Sequence, residues 1–435
     1  MTFKRDLVRA RSHIIFILAL LTAFGIAFTL ENMDFENRVS PRKNIKDVVT
    51  LNLRAQQPLS EQELAWAKLA WKYFENNTIP ETGMVNSVDN YTASTLWDSA
   101  SYLMATISAY RLEIIKEDEF THRVYKLLDS FAKLPLFEDK LPNKSYNTKT
   151  LEMVDYNNNP TKEGIGWSAI DIGRVMVPLN ILVWNYPQFT PQVKQLSQRW
   201  KLIDSVKDGD LYGATNEDGD TTYVQEGRLG YEEYAAKSYQ LMGYDVANAI
   251  DYTAWMSFVD IYGINIPIDS RSPERFKAHN YVVSEPYILD GVEFGWDSIS
   301  KEFAERVYRV QQARYEETGI LTAVSEDNID QAPYFVYNTV YTSGKVWNAI
   351  TEDGKDASEF KSLSTKAAFG WYALFDNDYT DKLIETASTL NDPEKGWYSG
   401  LYEKTQKPNK AITANTNGII LEALAYKQLG VLLKP

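Results

Sequence analysis

Val224-Gln225-Glu226-Gly227-Arg228-Leu229-Gly230-Tyr231-Glu232-Glu233-Tyr234-Ala235-Ala236 sets three carboxylates, an arginine and two tyrosines around two glycines, directly before the helical pattern Tyr234, Ala235, Tyr239, Leu241, Met242. Glycine permits positive φ and close approach to the backbone, so Gly227 and Gly230 place Glu226 and Arg228 on a turn at the mouth of a helix. Two readings compete: a functional acid beside a cation, or an ion pair that pins a loop.

The same succession of glycine, polar loop and small-residue helix recurs outward from this stretch. Gly83-Met84-Val85, Gly209-Asp210-Leu211-Tyr212, Gly319-Ile320-Leu321 and Gly396-Trp397-Tyr398 each open such a loop, and Gly164-Ile165-Gly166-Trp167 enters its helix more abruptly. Ser60-Glu61-Gln62-Glu63 reads as a capping box before Leu64, Ala67, Leu69, Trp71 and Phe74. Apolar spacing predicts further helices near 95–113, 118–133, 167–185, 190–204, 231–262, 298–317, 334–350, 357–376, 379–391 and 416–430, with little strand-like alternation. Repeated returns from an outer helix through a loop to an inner helix predict an all-α fold, an (α/α)6 toroid over residues 56–435. Inner-helix starts then converge on one face, and their acids with them: Trp97-Asp98, Trp167 to Asp171, Glu226 to Glu233.

Residues 1–13 carry Lys4, Arg5, Arg9 and Arg11, and the uncharged run Ile14–Leu30 follows. That pattern predicts a single membrane-spanning signal anchor at 14–30, a cytoplasmic tail at 1–13 and a polar spacer at 31–55, with the remainder periplasmic or otherwise outside the cytoplasm. Gly25-Ile26-Ala27 offers the competing reading of a cleaved signal peptide.

The chain has 435 residues, 59 carboxylates against 45 lysines and arginines, and no cysteine. This acidic balance disfavours nucleic acid and polyanionic substrates. The 28 tyrosines and 11 tryptophans suit the apolar faces and hydroxyls of sugars, or simply pack a core. Only His13, His122 and His279 are present, without a metal-ligand pattern, so acid/base chemistry falls to carboxylates and neither metal nor cofactor is expected. The acidic loop 208–220 carries Gly219 where a calcium loop needs a glutamate, and reads as a solvated turn.

Asp98 and Asp171 follow Thr95 and Ser168 at capping spacing, so each is a helix cap or a functional acid. Glu233 reads as a helix-start acid. Glu285, before Pro286, reads as a loop acid at a helix entry, close in sequence to Tyr287, Asp290, Glu293 and Trp296. Asn415 and Asn417 offer amides to sugar hydroxyls or cap a helix.

Thr95-Leu96-Trp97-Asp98-Ser99-Ala100-Ser101-Tyr102, Gly166 to Arg174, Gln225 to Ala236, Ser284-Glu285-Pro286-Tyr287 and Ala414 to Ile420 together resemble the bacterial envelope family of unknown function DUF3131, over roughly residues 60–433. More distantly the chain is similar to the glycoamylase-like group that includes endo-β-1,2-glucanases and the transglycosylating domain of cyclic β-1,2-glucan synthases, without that group's asparagine-tryptophan-tyrosine loop motif. The resemblance implies an (α/α)6 barrel and glycan chemistry.

The expectation is an anchored glycoside hydrolase or transglycosylase acting on an envelope or extracellular polysaccharide, with Glu226 as acid and Asp171 as its partner. Trp97, Asp98, Trp167, Arg228, Tyr231, Glu232, Glu285, Trp296, Asn415 and Asn417 are the expected substrate contacts. The alternative is a non-catalytic glycan-binding component of a polysaccharide synthesis or export system, whose proteins would then be partners. A polysaccharide lyase is disfavoured by the acidic balance.

Overall fold

The computed structural model describes residues 20–23, 25, 51–217, 219–276 and 279–434. The chain divides into two units, Met1–Val49 and Thr50–Pro435, and the second carries the fold. Most of the expected anchor at 14–30 lies outside the described residues, among which no helix is long and apolar enough to cross a membrane.

In chain order the helices are α1 (Glu61–Asn77), α2 (Leu96–Arg111), α3 (Glu117–Lys133), α4 (Ala169–Asn185), α5 (Thr190–Arg199), α6 (Tyr231–Leu241), α7 (Glu285–Leu289, continued by a π turn over Asp290–Phe294), α8 (Ser298–Thr318), α9 (Thr365–Leu374), α10 (Asp378–Ala387) and α11 (Ala414–Leu429), besides the short helix Pro273–Phe276. Helices α2, α4, α6, α7, α9 and α11 form a closed inner ring, each packed on the next, and α11 returns to α2. Outer helices α1, α3, α5, α8 and α10 pack against α11, α2, α4, α7 and α9.

Burial explains which helices lie inside. Along α2, Leu96 and every residue from Ser99 to Ala109 are buried, the signature of a helix enclosed on all sides. In α3 only Phe120, Val124, Leu127, Leu128, Ser130 and Phe131 are buried, one stripe at helical spacing, so its other face stays in water. Inner neighbours approach closely where small residues allow it. A Cβ built on Gly173 of α4 would lie 2.6 Å from Ala235 Cβ of α6, with the Ala235 Cα at 2.9 Å. Gly173→Val is therefore expected to wedge α4 from α6 and cost about 1–3 kcal/mol, read as a lowered midpoint in thermal unfolding.

The all-α expectation is corrected in two ways. The expected helix 231–262 stops at Leu241, and the place of a sixth outer helix is taken by a hairpin of Met256–Ile261 and Ile264–Asp269, which packs on α8. The expected helix 334–350 is instead strands Phe335–Asn338, Tyr341–Thr342, Lys345–Val346 and Ala349–Ile350. The described residues hold seven small antiparallel sheets, because long loops between helices must pair their own backbone groups once they leave the ring. The acidic loop near 208–220 is likewise part of a hairpin, Asp210–Glu217 against Asp220–Gln225.

The expected spacer 31–55 includes Arg54. Arg54 bonds the Tyr372 carbonyl (2.6 Å), stacks over the Tyr372 ring (4.2 Å) and pairs with Asp376 (3.0 Å), which ties this strap to the end of α9.

A charged hub lies inside the ring. Arg174 of α4 donates to Glu293 of the π turn, to Tyr234 Oη of α6 (2.8 Å) and to Glu422 Oε1 of α11 (2.6 Å), while Tyr234 donates to Glu293 Oε2 (2.7 Å). The three ionisable side chains of the Arg174 pairs are 0% exposed. One guanidinium faces two carboxyls, and burial, reinforced by the Glu293 charge, holds the Glu422 carboxyl well above the usual carboxylate range despite Arg174. The hub thus links four inner elements.

Candidate active site

All six inner helices begin on one face of the ring. Their first turns supply Trp97 and Asp98 (α2), Asp171 (α4), Tyr231 (α6), Glu285 (α7), Lys366 (α9) and Asn415 (α11). Six helix N-termini directed at one surface favour negative charge there, which is why acids gather at these positions.

Glu285 is the best-connected of them. It is 1% exposed and accepts from Trp97 Nε1 (3.0 Å) and from Asn415 Nδ2 at both oxygens (3.1 and 3.1 Å), and it pairs with Lys366. Asn415 Oδ1 in turn accepts from Ser101 (3.0 Å). Every acceptor position of Glu285 is therefore committed to holding Trp97, Asn415 and Lys366 in place, so it organises the site. Trp97 packs edge-on to Tyr231 (5.5 Å) and lies over the Arg174 guanidinium (5.6 Å), so the charged hub forms its floor.

Glu226 and Asp171 meet at the start of α4. Glu226 follows the strand Asp220–Gln225, and its Oε2 accepts from the Ala169 amide (2.6 Å), the first residue of α4. The Ser168 hydroxyl donates to Asp171 Oδ1 (3.1 Å) and also favours the charged form of Glu226. Burial pushes the Asp171 carboxyl up to about 7, with the Glu226 charge as the next contribution. Burial raises Glu226 as well, but Lys144, Ser168 and the Ala169 and Ile170 amides oppose it. Both carboxyls are thus raised, Asp171 to about 7, while the Ala169 and Ile170 amides favour the charged form of Glu226 against its burial.

Arg228, expected as a substrate contact, lies beside Glu226 in sequence. Its described bonds run to Gln225 Oε1 (2.9 Å), the Gly227 carbonyl and the Phe276 carbonyl (3.1 Å), away from the Glu226 carboxylate. The nearby cation that matters to the acid pair is Lys144, in the loop between α3 and α4, whose Nζ donates to Thr215 (2.9 Å). Sequence spacing gave no signal for it, because Lys144 reaches the pair only through the fold.

Several expected contacts serve the framework. Trp167 is 0% exposed and its indole bonds the Tyr212 carbonyl (3.0 Å). Trp296 bonds the Tyr287 carbonyl (2.7 Å) and stacks on Phe375 (5.8 Å), at the end of α9 opposite to Lys366. Glu232 is 3% exposed and paired with Arg271 (2.7 Å). Asn417 is fully buried, accepting from the Trp397 amide (2.9 Å) and donating to the Thr413 carbonyl (2.9 Å). Asp98 is capped by Thr95 and accepts from Ser87 (2.5 Å) and Thr95 (2.8 Å) hydroxyls, and burial raises its carboxyl. It sits between Asp171 and Glu285 in the electrostatics of the face.

Two further acids stand on that face, Glu326 and Asp327, both pushed up to about 7 by burial against the pull of Lys366. With Asp171, and with Glu232 at about 7 and Glu233 at about 8, they make five carboxyls raised to near neutrality. A raised carboxyl keeps its proton in the folded chain at a pH where the unfolded chain has lost it. Stability then falls as pH rises from about 4 toward about 8. Thermal melts are expected to give a Tm several degrees higher at about pH 5.5 than at about pH 8, and an unchanged or reversed order would contradict this.

Comparison with known proteins agrees with this architecture. No curated protein matches the sequence. A glucoamylase candidate from Bacteroides caccae superposes with a TM-score of 0.60 at 11% identity, covering 85% of this chain and 94% of that one. The endo-β-1,2-glucanase of Chitinophaga pinensis, in complex with sophorotriose and glucose, gives 0.57 at 13% identity over 86% and 94%. The endo-β-1,2-glucanase of Talaromyces funiculosus, in complex with sophorose, gives 0.58 at 10% identity over 86% and 84%. The helix-rich fold is thus that of glucoamylase-like (α/α) barrels. A family model described as protein of unknown function (DUF3131) matches residues 65–430, and the chain belongs to that family.

Proposed function

We propose that the protein is a glycoside hydrolase or transglycosylase acting on a neutral envelope or extracellular polysaccharide, held at the cytoplasmic membrane by residues 14–30 with its barrel on the outer side. The observation that carries this reading is the carboxyl pair at the start of α4, Glu226 bonded to the Ala169 amide (2.6 Å) and Asp171 bonded by the Ser168 hydroxyl (3.1 Å), both raised by burial and Asp171 to about 7. Glycosidic cleavage needs both: one carboxyl donates a proton to the leaving oxygen, and the other activates water or attacks the anomeric carbon.

The roles run opposite to the order expected from sequence. Asp171, raised to about 7, donates the proton, and Glu226, held by the Ala169 amide and Lys144, is the base or nucleophile. Trp97, positioned through its indole N–H by Glu285, offers a ring to the sugar, and Tyr231 borders it. The acidic balance of the chain, 59 carboxylates against 45 lysines and arginines, opposes uronates, and the glucan ligands and glucanase names of the structural neighbours support a neutral sugar.

The test is a panel of defined neutral glucans, amino-glycans and uronates incubated with the full chain and read by mass spectrometry. Cleavage or chain transfer on a neutral member is expected. Tight binding without turnover would favour the non-catalytic reading, a glycan-binding component of a synthesis or export machine.

A further inference from the structure

A second surface adjoins the acid pair. Strands Glu326–Asn328 and Phe335–Asn338 pair antiparallel, with Glu326 opposite Tyr337 and Asn328 opposite Phe335. Val336 and Asn338 point inward, at 0% and 1% exposure, so Phe335 and Tyr337 share the open face, half-buried. Directly opposed residues lie on one face, which adds half-buried Asn328 and, at its inner end and only 9% exposed, Glu326.

Rings connect this face to the site. Tyr337 stacks on Tyr281 (4.2 Å) and meets Phe335 edge-on (5.2 Å), Tyr281 meets Tyr231 (6.3 Å), and Tyr231 meets Trp97 (5.5 Å). Tyr281 also stands near the catalytic carboxyls: burial pushes its hydroxyl up to about 12, with smaller contributions from Glu226 and Glu285. Beyond Phe335 the path ends at Tyr334, 66% exposed. Five rings from four separate chain segments thus run without a break from Trp97 to the rim.

We infer that this sheet face is a distal subsite for further sugar rings of the same linear, neutral glycan, with Phe335 and Tyr337 against their apolar faces and Glu326 and Asn328 taking hydroxyls. The occupant follows from continuity with the acid pair, and the inference rests on the glycan reading of that pair. Half-buried rings beside an acid and an amide are the combination that grips a pyranose, apolar on its faces and polar around its edge. A carboxylate-bearing sugar is disfavoured by Glu352, near Tyr337, and by the acidic balance of the chain.

The experiment compares the wild-type full chain with Phe335→Ala and Asn328→Ala on neutral gluco-oligosaccharides of increasing length, measuring KM, Kd and Tm. Removing one ring is expected to weaken the longest oligosaccharide by about 2–10-fold, with the penalty growing with chain length and Tm almost unchanged. A penalty equal at all lengths, or none, overturns the subsite. If the wild type binds but does not cleave, the length-dependent loss in Kd still decides the subsite while the catalytic reading fails alone. A wild type that binds no glycan overturns both.

Discussion

Asp171→Asn is expected to lower turnover on the cleaved glycan by about 10²–10⁴-fold, the scale of general acid/base catalysis, with Kd little changed. Asparagine keeps the shape and can still accept from Ser168, so α4 should remain capped and Tm should move little. Glu226→Gln is expected to fall by a similar factor on the natural substrate. The two variants separate on an aryl glycoside with a good leaving group, whose departure needs no proton. Asp171→Asn should regain much of its turnover there and Glu226→Gln should not. The reverse pattern would restore the order expected from sequence, with Glu226 as the acid. If both variants stay active, the pair is only a cap for α4, and Glu226 bonded to the Ala169 amide is its means.

Arg174→Met is expected to cost about 3–5 kcal/mol, because it leaves Glu293 and Glu422 buried among four inner elements with no cation. Glu422→Gln should be nearly neutral or stabilising, since burial disfavours the charged form of Glu422 and glutamine can still accept from Arg174. Thermal and urea unfolding of the two variants measures this contrast. Equal losses would mean that the second carboxylate is charged and needed. The hub also supports Trp97 from below, so a partly folded Arg174→Met should lose glycan affinity as well as stability.

The ring was legible in the sequence because the helical period and the glycine-opened loops report local geometry. Thr95, Ser168 and Thr413 each bond the amide three residues on, and those caps mark where α2, α4 and α11 enter the face. The hairpins were missed although their signals were present. Ile264, Ile266 and Ile268 alternate strictly with polar or proline residues behind the positive-φ pair Tyr262-Gly263, and Ser343-Gly344 makes the same turn between Tyr341–Thr342 and Lys345–Val346. Scattered aliphatic residues in both regions satisfied a helical period by accident. Tertiary pairing, which no local window contains, decided the outcome.

Site residues divide along the same line. Glu226, Asp171, Glu285, Trp97, Tyr231 and Asn415 lie at or beside helix starts, and chain order brings them to one face. Lys144, Glu326 and Asp327 come from loops and strands whose direction depends on the closed ring, and Lys366, in the first turn of α9, was passed over because acids and aromatic rings carried the sequence signal. Trp167 and Asn417, at similar sequence positions, are turned into the core. The protonation order of Asp171 and Glu226 could not be read either. It follows from which hydroxyls, amides and charges face each carboxyl.

The most direct measurement is the pH dependence of kcat/KM on the oligosaccharide that the wild type cleaves, which reports the free enzyme's acid and base. Protonated Asp171 as donor predicts a rate that falls as pH rises through about 7, together with an acid limb at lower pH where Glu226 takes up a proton. A rate that stays level or climbs from about pH 6 to about pH 9 would contradict the assignment, because Asp171 would then have released its proton without loss of activity.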